Sequence, residues 1–174
     1  MGILRRLFGR KYTPSWDMPN DAVKEIDATS STDSGIYTGT ATIVIYDLES
    51  LRHRLNHDVD WWASPQDEIF ELNERNLLIV GLGSDGFYDL EVTEGERGKN
   101  AFSLRFPSGH IFVGAGEMLT GGGDEPDAGT PGIFLDLAPG DYKVGIERFD
   151  DRLRVSIVRS TPFDNAAVEP VTLY

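Results

Sequence analysis

Residues 77 to 88 read Leu77-Leu-Ile-Val-Gly81-Leu-Gly83-Ser-Asp-Gly86-Phe-Tyr88, a G-x-G-x-x-G string directly after an apolar run. That order begins a dinucleotide-binding turn, in which the third glycine opens a helix whose N-terminus holds the pyrophosphate. Here the residues from Phe87 to Val92 alternate instead with a period near two, which is typical of a strand. The sequence therefore predicts a hairpin turn at Asp85-Gly86 and excludes a nucleotide-binding turn at this point.

The rest of the chain after residue 75 repeats this pattern of short apolar runs separated by turns rich in glycine, proline and aspartate. An earlier strand is predicted over residues 36–46, and Phe149-Asp-Asp-Arg152 predicts a hairpin. The later strands are predicted near residues 76–83, 87–93, 101–106, 110–114, 132–137, 141–148 and 152–159.

Two helices are predicted before this strand-rich part. Asp47 is a suitable cap for the first, which would bury a narrow stripe of leucines. The second would begin with Ser64 as the cap, Pro65 as the first helical residue and Asp67 as the acid of a capping box. The predicted fold is therefore α+β and β-rich. It is mainly an antiparallel sandwich or partly open barrel with one or two short helices inserted near the N-terminal side.

The strand-rich part also contains a faint internal echo. The segment from Ile79 to Val92 aligns with the segment from Ile133 to Ile146 at an offset of 54, and each contains a glycine turn followed by a tyrosine. Either a duplication or two ordinary hairpins with the same turn chemistry would produce this pattern. Both alternatives favour β-structure over a nucleotide fold.

Charge divides the chain into unequal parts. Its 29 acidic and 16 basic residues give a net charge of −13, and four of the basic residues lie in the first eleven positions. The remainder therefore carries 12 − 29 = −17. So acidic a body repels nucleic acid and anionic membranes and attracts basic partners. We expect a basic then polar leader over residues 1–34, one globular domain over 35–160, and a tail or edge strand over 161–174.

Composition limits the chemistry and the compartment. The chain has no cysteine, which excludes disulfides and thiolate metal sites and is compatible with a reducing cytoplasm. We expect a cytoplasmic protein without a cofactor. Residues 1–11 alternate apolar and basic side chains; a frayed or docked terminus is the favoured interpretation, and contact with a membrane surface is the alternative.

His53 and His57 are four residues apart on the first predicted helix and could bind a metal from one face. The zinc-protease motif has a glutamate after the first histidine, where this chain has Arg54. The alternative is that both histidines simply complement the helix dipole. A third metal ligand could come from Asp58, Asp60 or Glu68.

The second predicted helix carries Asp67, Glu68, Glu71 and Glu74. Their spacing of three residues places several carboxylates on one face, which is typical of a solvated surface. Such a face could also dock a basic partner. Glycoside hydrolysis would instead require two carboxylates facing each other across a cleft.

Asp58-Val-Asp60-Trp61-Trp62 combines acids with two adjacent tryptophans. Exposed tryptophan beside carboxylates has the composition of a binding hot spot for arginine or lysine. The alternative is that both rings pack over the sheet as a lid. Further along the chain, the Gly121-Gly-Gly-Asp124-Glu-Pro-Asp127 segment lacks the ligand alternation of a calcium loop, so we expect a flexible acidic loop there.

Several segments together resemble those of uncharacterised small bacterial proteins that occur near secreted toxins and are suspected immunity proteins. The resemblance covers about residues 35–160 and supplies no catalytic residues. It is carried by Asp47-Leu-Glu-Ser-Leu-Arg-His-Arg54, Asp60-Trp-Trp62, the Glu-x-x-Glu stretch, Gly83-Ser-Asp-Gly86-x-Tyr88 and Pro139-Gly-Asp-Tyr142.

Our main hypothesis is a non-enzymatic interaction protein that binds and blocks a basic partner, such as a toxin or effector domain. One alternative is a metal-binding module or metal-dependent hydrolase that uses His53 and His57. Another is a β-rich carbohydrate or small-ligand binder with a tryptophan as the stacking platform. The expected binding residues are Asp58, Asp60, Trp61, Trp62, Glu68 and Glu71.

Overall fold

The computed structural model describes residues 31–95 and 100–174, which form ten strands, one α-helix and three short 3₁₀ helices. The strands are β1 Ser31–Thr38, β2 Thr42–Asp47, β3 Leu77–Gly81, β4 Gly86–Glu94, β5 Ala101–Phe106, β6 His110–Ala115, β7 Gly132–Asp136, β8 Gly140–Phe149, β9 Arg152–Arg159 and β10 Val171–Thr172. The helices are α1 Pro65–Asn73 and the 3₁₀ helices Leu48–Arg54, Trp61–Ala63 and Gly116–Met118.

The strands form two five-stranded sheets that pack face to face. Sheet A has the order β1-β4-β9-β8-β5, and sheet B has the order β10-β3-β2-β6-β7. Parallel pairing occurs between β4 and β9 and between β10 and β3, whereas the other named neighbours are antiparallel. Apolar side chains such as Ile45, Leu90 and Val155 fill the space between the sheets. The prediction of a β-rich sandwich with few helices is confirmed.

Sheet B is covered on both faces. A second apolar cluster on its outer side joins Val44, Tyr46 and Phe112 of the sheet to Leu51 and Trp61 of the 3₁₀ helices. This explains why β2 is buried almost throughout. The outer face of sheet A carries mainly polar side chains, and none of the described helices packs on it. Surface chemistry is therefore concentrated on sheet A and on the loops.

The predicted continuous strand over residues 36–46 is wrong. The chain turns at residues 39–41, where Ala41 has a φ of 53°, and continues as β2 in the other sheet. The Thr38 hydroxyl accepts hydrogen bonds from the backbone N–H groups of Thr40 and Thr42, each at 3.2 Å. The threonine-rich segment, which was predicted as part of a strand, thus forms a turn that its own side chains stabilise.

The predicted hairpin at Asp85-Gly86 is also wrong, because β3 belongs to sheet B and β4 to sheet A. The segment between them crosses from one sheet to the other. The predicted hairpin at Phe149-Asp-Asp-Arg152 is confirmed: Phe149 and Arg152 are register partners, and Asp150 adopts a φ of 54° at the tip.

The second predicted helix has the expected start. Ser64 is the cap, its side chain accepts from the Asp67 N–H at 3.3 Å, and Pro65 is the first helical residue. The first helix is a 3₁₀ helix whose cap is Asp47, as predicted. The Asp47 carboxylate is buried and also accepts from the N–H groups of Ser108 and Gly109, so it fixes the β5–β6 turn as well.

The sequence echo corresponds to a repeated chain path. In the first half, β1 and β4 pair in sheet A while β2 and β3 pair in sheet B; in the second half, β5–β8 and β6–β7 do the same. The hydroxyl of Tyr88 donates to the Ser84 carbonyl and that of Tyr142 to the Ala138 carbonyl, each four residues back. The two echoing segments are therefore equivalent crossings between the sheets, and the interpretation as two hairpins is wrong.

The C-terminal segment covers two sheet edges. Short β10 pairs with β3, and the Asn165 side chain bonds to both backbone groups of Ser103 on β5. At the other terminus, residues 31–34 belong to β1. The predicted membrane contact of residues 1–11 and the rest of the leader, residues 12–30, lie outside the described residues. No helix of the described chain has the length and apolarity that a membrane span requires.

Candidate protein-interaction surface

Glu71 lies under the surface, although the helical pattern placed it on a solvated acidic face. Its carboxylate is fully buried and accepts hydrogen bonds from Arg54 Nε at 2.7 Å and Asn76 Nδ2 at 2.8 Å. His53 Nε2 lies 2.8 Å from the same carboxylate. These contacts join the 3₁₀ helix Leu48–Arg54 to α1. Glu71 is therefore a structural carboxylate and is not available to a partner.

Arg54 connects this buried carboxylate to its neighbours. Its guanidinium contacts Asp67 at 2.9 Å as well as Glu71, and it lies over the Trp61 ring at 4.4 Å from the centroid. The hydrogen bond from Ser64 and the adjacent guanidinium lower the pKa of Asp67. A cation that already has two carboxylates and an aromatic ring is fully engaged within the chain.

His53 and His57 are not brought together as metal ligands. The 3₁₀ helix ends at Arg54, so His57 lies beyond it and the two rings do not share a helical face. Instead His57 Nδ1 accepts from the Arg54 guanidinium at 3.2 Å, while His53 contacts Glu71. Within the described ranges, no group of three or more His, Asp and Glu side chains is placed to hold a metal ion.

The two tryptophans differ in exposure. Trp61 is buried, and its indole N–H donates to the Thr120 carbonyl at 2.8 Å. Trp62 is half-buried and packs against the second apolar cluster. Both rings thus contribute to the cover over sheet B, as the lid alternative expected. Trp61 is therefore not an exposed platform of the kind that a sugar would stack on, and Trp62 is only partly exposed.

Glu68 is partly exposed on α1, and its carboxylate has a raised pKa. Partial burial raises its pKa to about 7, and a hydrogen bond with the Val171 backbone, which lowers the pKa, does not offset that effect. This carboxylate is therefore partly protonated at neutral pH. It contributes less to an electrostatic surface than its position in the sequence suggested.

Asp58 and Asp60 remain exposed and lie beside a second acidic segment. The Gly122 N–H donates to the His57 carbonyl at 2.8 Å, and the Gly123 N–H donates to the Leu55 carbonyl at 2.7 Å. These bonds hold residues 55–60 against the loop that starts at residue 119. Gly121 and Gly122 allow the approach, because a Cβ at either position would lie 3.1–3.2 Å from Trp61 or Val59.

The contact between these two segments forms an open groove of about 430 Å³, which we call the acidic groove. Val59 and Met118 supply its apolar wall, and no lysine or arginine among the described residues lines it. Its lining contains the carboxylates of Glu117, Asp124, Glu125 and Asp127. Asp58 and Asp60 do not line the groove themselves but flank Val59, which does, and they lie more than 50 positions earlier in the sequence.

Four of these carboxylates have no internal partner. Within the described chain, the side chains of Asp58, Asp60, Asp124 and Glu125 make no hydrogen bond or ion pair. Asp127 is used in its own turn, where it accepts from the Gly129 N–H at 2.8 Å. Both acidic segments are visible in the sequence, but only the folded chain shows that glycines 121–123 pack on residues 55–60.

Glu117 marks the end of the groove next to β1. Burial opposes its ionisation, but hydrogen bonds from the Gly39 N–H at 2.7 Å and from the hydroxyls of Thr40 and Thr38 outweigh that effect and lower its pKa. Glu117 therefore stays ionised and ties the groove to the β1–β2 turn.

A family model matches residues 29–173. The chain belongs to the family of unknown function DUF6386. The expectation of an uncharacterised protein family is thereby confirmed. Among curated proteins, none matches this DUF6386 chain.

Two solved structures are similar to the DUF6386 chain. One is the protein named crocagin biosynthetic gene J, with 13% identity and a TM-score of 0.49; the match covers 76% of this chain and 99% of that one. The other is ComJ from Bacillus subtilis, an inhibitor of the DNA-degrading activity of NucA. It has 10% identity and a TM-score of 0.47, and the match covers 75% of this chain and 98% of ComJ.

Proposed function

We propose that this protein is a non-enzymatic interaction protein that binds and blocks a basic protein, such as a toxin or effector domain, through the acidic groove. The observation that supports this function is the meeting of two remote acidic segments around an open groove. Four of the carboxylates lack an internal partner, and the described lining contains no lysine or arginine. Unpaired carboxylates that are held together in this way repel one another unless a cation approaches.

The groove would act in two steps. Its field, added to the net charge of −13, attracts a basic surface and raises the association rate. Val59, which is 58% exposed, and Met118 then supply apolar area that is covered on contact. Of the binding residues expected from the sequence, Asp58 and Asp60 contribute directly. Trp61 and Trp62 contribute by holding the segment that carries them.

The alternatives receive less support from the geometry. A metal-dependent hydrolase would need His53 and His57 as a ligand pair, and both imidazoles are engaged with Glu71 and Arg54. A carbohydrate binder would need an exposed aromatic platform at Trp61 or Trp62, and both side chains lie in the cover over sheet B.

The test begins with affinity capture of a partner from the source cell and measures its binding kinetics. A groove variant combines Asp58→Asn, Asp60→Asn, Asp124→Asn and Glu125→Gln. We expect its association rate constant to fall about tenfold at low ionic strength while the dissociation rate changes little, because charge acts mainly on the encounter. The wild-type association rate should fall steeply as salt is added.

A matched variant removes four exposed acids away from the groove, through Glu74→Gln, Glu94→Gln, Asp164→Asn and Glu169→Gln. It carries the same net charge as the groove variant, so it separates the effect of position from that of total charge. Equal losses in both variants, or a groove variant with wild-type association, would contradict the proposed site.

A further inference from the structure

Tyr37 and Phe87 form an exposed aromatic pair at one end of sheet A. They are register partners on β1 and β4, and their ring centroids are 4.9 Å apart with an interplanar angle of 58°. Tyr37 is 53% exposed and Phe87 is 77% exposed. Most aromatic contacts in this chain lie in the apolar clusters, whereas this pair faces solvent on the sheet face that the described helices leave open.

Exposed carboxylates lie on the segments next to this pair. Asp85 precedes Phe87 and Asp89 follows it, and both are exposed. The tip of the β8–β9 hairpin brings Asp150 and Asp151 alongside, because the Asp89 N–H donates to the Asp151 carbonyl at 2.8 Å. In the described part of the chain, these four carboxylates have no hydrogen bond or ion pair. The β4 segment that carries Phe87 and the adjoining hairpin tip therefore present four exposed carboxylates that have no hydrogen bond or ion pair in the described chain.

The nearest exposed aromatic residue on the same face is already occupied. Phe149 has the Arg154 guanidinium over its ring at 5.3 Å and Arg152 as its register partner. Arg152 is also in register with Asp89, two residues along β4 from Phe87. The Phe87 ring has no such cation among the described contacts. Sheet A thus has two exposed phenylalanine rings near each other: Phe149, which an arginine of the same chain covers, and Phe87, which no described arginine covers.

We propose that the Tyr37–Phe87 pair is the anchor for an arginine side chain of the protein partner. A guanidinium can stack flat on a ring face while its N–H groups donate to flanking carboxylates, here those of Asp85 and Asp89. A second copy of this chain is a poor occupant, because each copy carries a net charge of −13. The partner segment must therefore be basic, with arginine preferred over lysine.

The anchor lies next to the acidic groove. A Cβ at Gly39 would be 3.8 Å from both Glu117 Oε1 in the groove and Cε1 of the Tyr37 ring. One extended basic segment could therefore run along the groove and place an arginine on the pair. This inference rests on the proposed function and deepens it: the groove attracts the partner, and the aromatic pair retains it.

The test uses a decapeptide of alternating arginine and serine as the probe, with lysine and glutamate versions as controls. Nuclear magnetic resonance titration of the full chain should shift the ring signals of Tyr37 and Phe87 with the arginine peptide, and less with the lysine peptide. Phe87→Ala should raise the dissociation constant of the arginine peptide about fivefold. Phe70→Ala is the control, since Phe70 is 52% exposed on α1 and should leave binding unchanged.

The outcomes separate the anchor from the groove. Shifts confined to groove residues, with the ring signals unmoved, would overturn the anchor and leave the proposed function intact. Equal affinity of wild type and Phe87→Ala, or no binding of the arginine peptide, would also overturn the anchor, whatever the captured partner shows. Concentration-dependent dimerisation that Phe87→Ala abolishes would make the occupant a second copy and overturn the inference. An unchanged amide spectrum would show that Phe87→Ala is folded.

Discussion

Glu71 and Glu68 lie one turn apart on α1, yet their carboxylates have different roles. Glu71 is fully buried and has three partners, so its charge is compensated inside the fold. Removing one member of such a network leaves an uncompensated buried charge, which makes Arg54 and Glu71 dependent on each other. Glu68 is partly buried without such compensation, and burial raises its pKa.

Glu68 should therefore make stability depend on pH. Its pKa is about 7 in the folded state and near 4.5 when the chain is unfolded, so between these values the folded state binds the extra proton. The stabilisation is complete below pH 4.5 and is lost as the pH rises through 7. We expect the free energy of unfolding of the wild type to fall by about 1 kcal/mol between pH 5.5 and 8, a value that allows for solvent screening of the partly exposed carboxylate. Glu68→Gln should lack this fall.

Urea unfolding at the two pH values measures this difference. Glu74→Gln is the control, because Glu74 is exposed at the end of the same helix and should keep the wild-type pH dependence. Identical slopes for wild type and Glu68→Gln would show that the environment of Glu68 does not perturb its ionisation.

Single elements differ in how much of them is encoded locally. The start of α1 was predictable because Ser64, Pro65 and Asp67 form a cap from adjacent residues. Strands such as β8 and β9 were predictable because alternation is a local pattern. The turn at Asp85-Gly86 was not, since the same glycine chemistry serves a hairpin within a sheet and a crossing between sheets. Only the long-range pairing of β4 with β1 and β9 distinguishes them.

The candidate site was predictable to a similar extent. Asp58 and Asp60 were predicted as binding residues because they precede two adjacent tryptophans in the sequence, and the structure leaves both acids exposed. The burial of Trp61 could not be decided from the sequence, since its hydrogen-bond partner, the Thr120 carbonyl, is 59 positions away. The Tyr37–Phe87 pair carried no local signal, since it exists only through the register of β1 and β4.

The two crossings should respond alike to loss of their tyrosine hydroxyls. Tyr88 donates to the Ser84 carbonyl at 2.8 Å and Tyr142 to the Ala138 carbonyl at 2.6 Å, a contact similar to the tyrosine corner of other β-sandwiches. Tyr88→Phe and Tyr142→Phe should each lower the free energy of unfolding by about 1 kcal/mol, the typical value of one such bond. Tyr37→Phe, whose hydroxyl has no described partner, is the control. A large loss in one variant and none in the other would contradict their equivalence.

At the scale of the whole molecule, the duplicated path explains where function can lie. Each half contributes one edge pair of strands to sheet A and one pair of neighbouring strands to sheet B, and β9 lies between the two halves in sheet A. All of the turns at one end, including residues 39–41, 82–85 and 150–151, therefore come together. The acidic groove and the aromatic pair both lie at this end, while the helices and the C-terminal segment cover sheet B and two sheet edges.

Such a concentration of unpaired acids should destabilise the free protein. Like charges repel most at low ionic strength, where the Debye length is about 30 Å at 0.01 M salt and falls to about 10 Å at 0.1 M. We expect the groove variant (Asp58→Asn, Asp60→Asn, Asp124→Asn and Glu125→Gln) to melt at a higher temperature than wild type at 10 mM salt, with the difference shrinking by 300 mM.

The matched variant with four scattered neutralisations is the control. Its melting temperature should rise less, because its acids are not clustered around one groove. Thermal melts of the three proteins across a salt series measure this. If the melting temperature of the groove variant rises no more than that of the matched variant, the groove carboxylates do not repel one another measurably. The electrostatic attraction of a basic partner to the groove would then be weaker than the geometry implies.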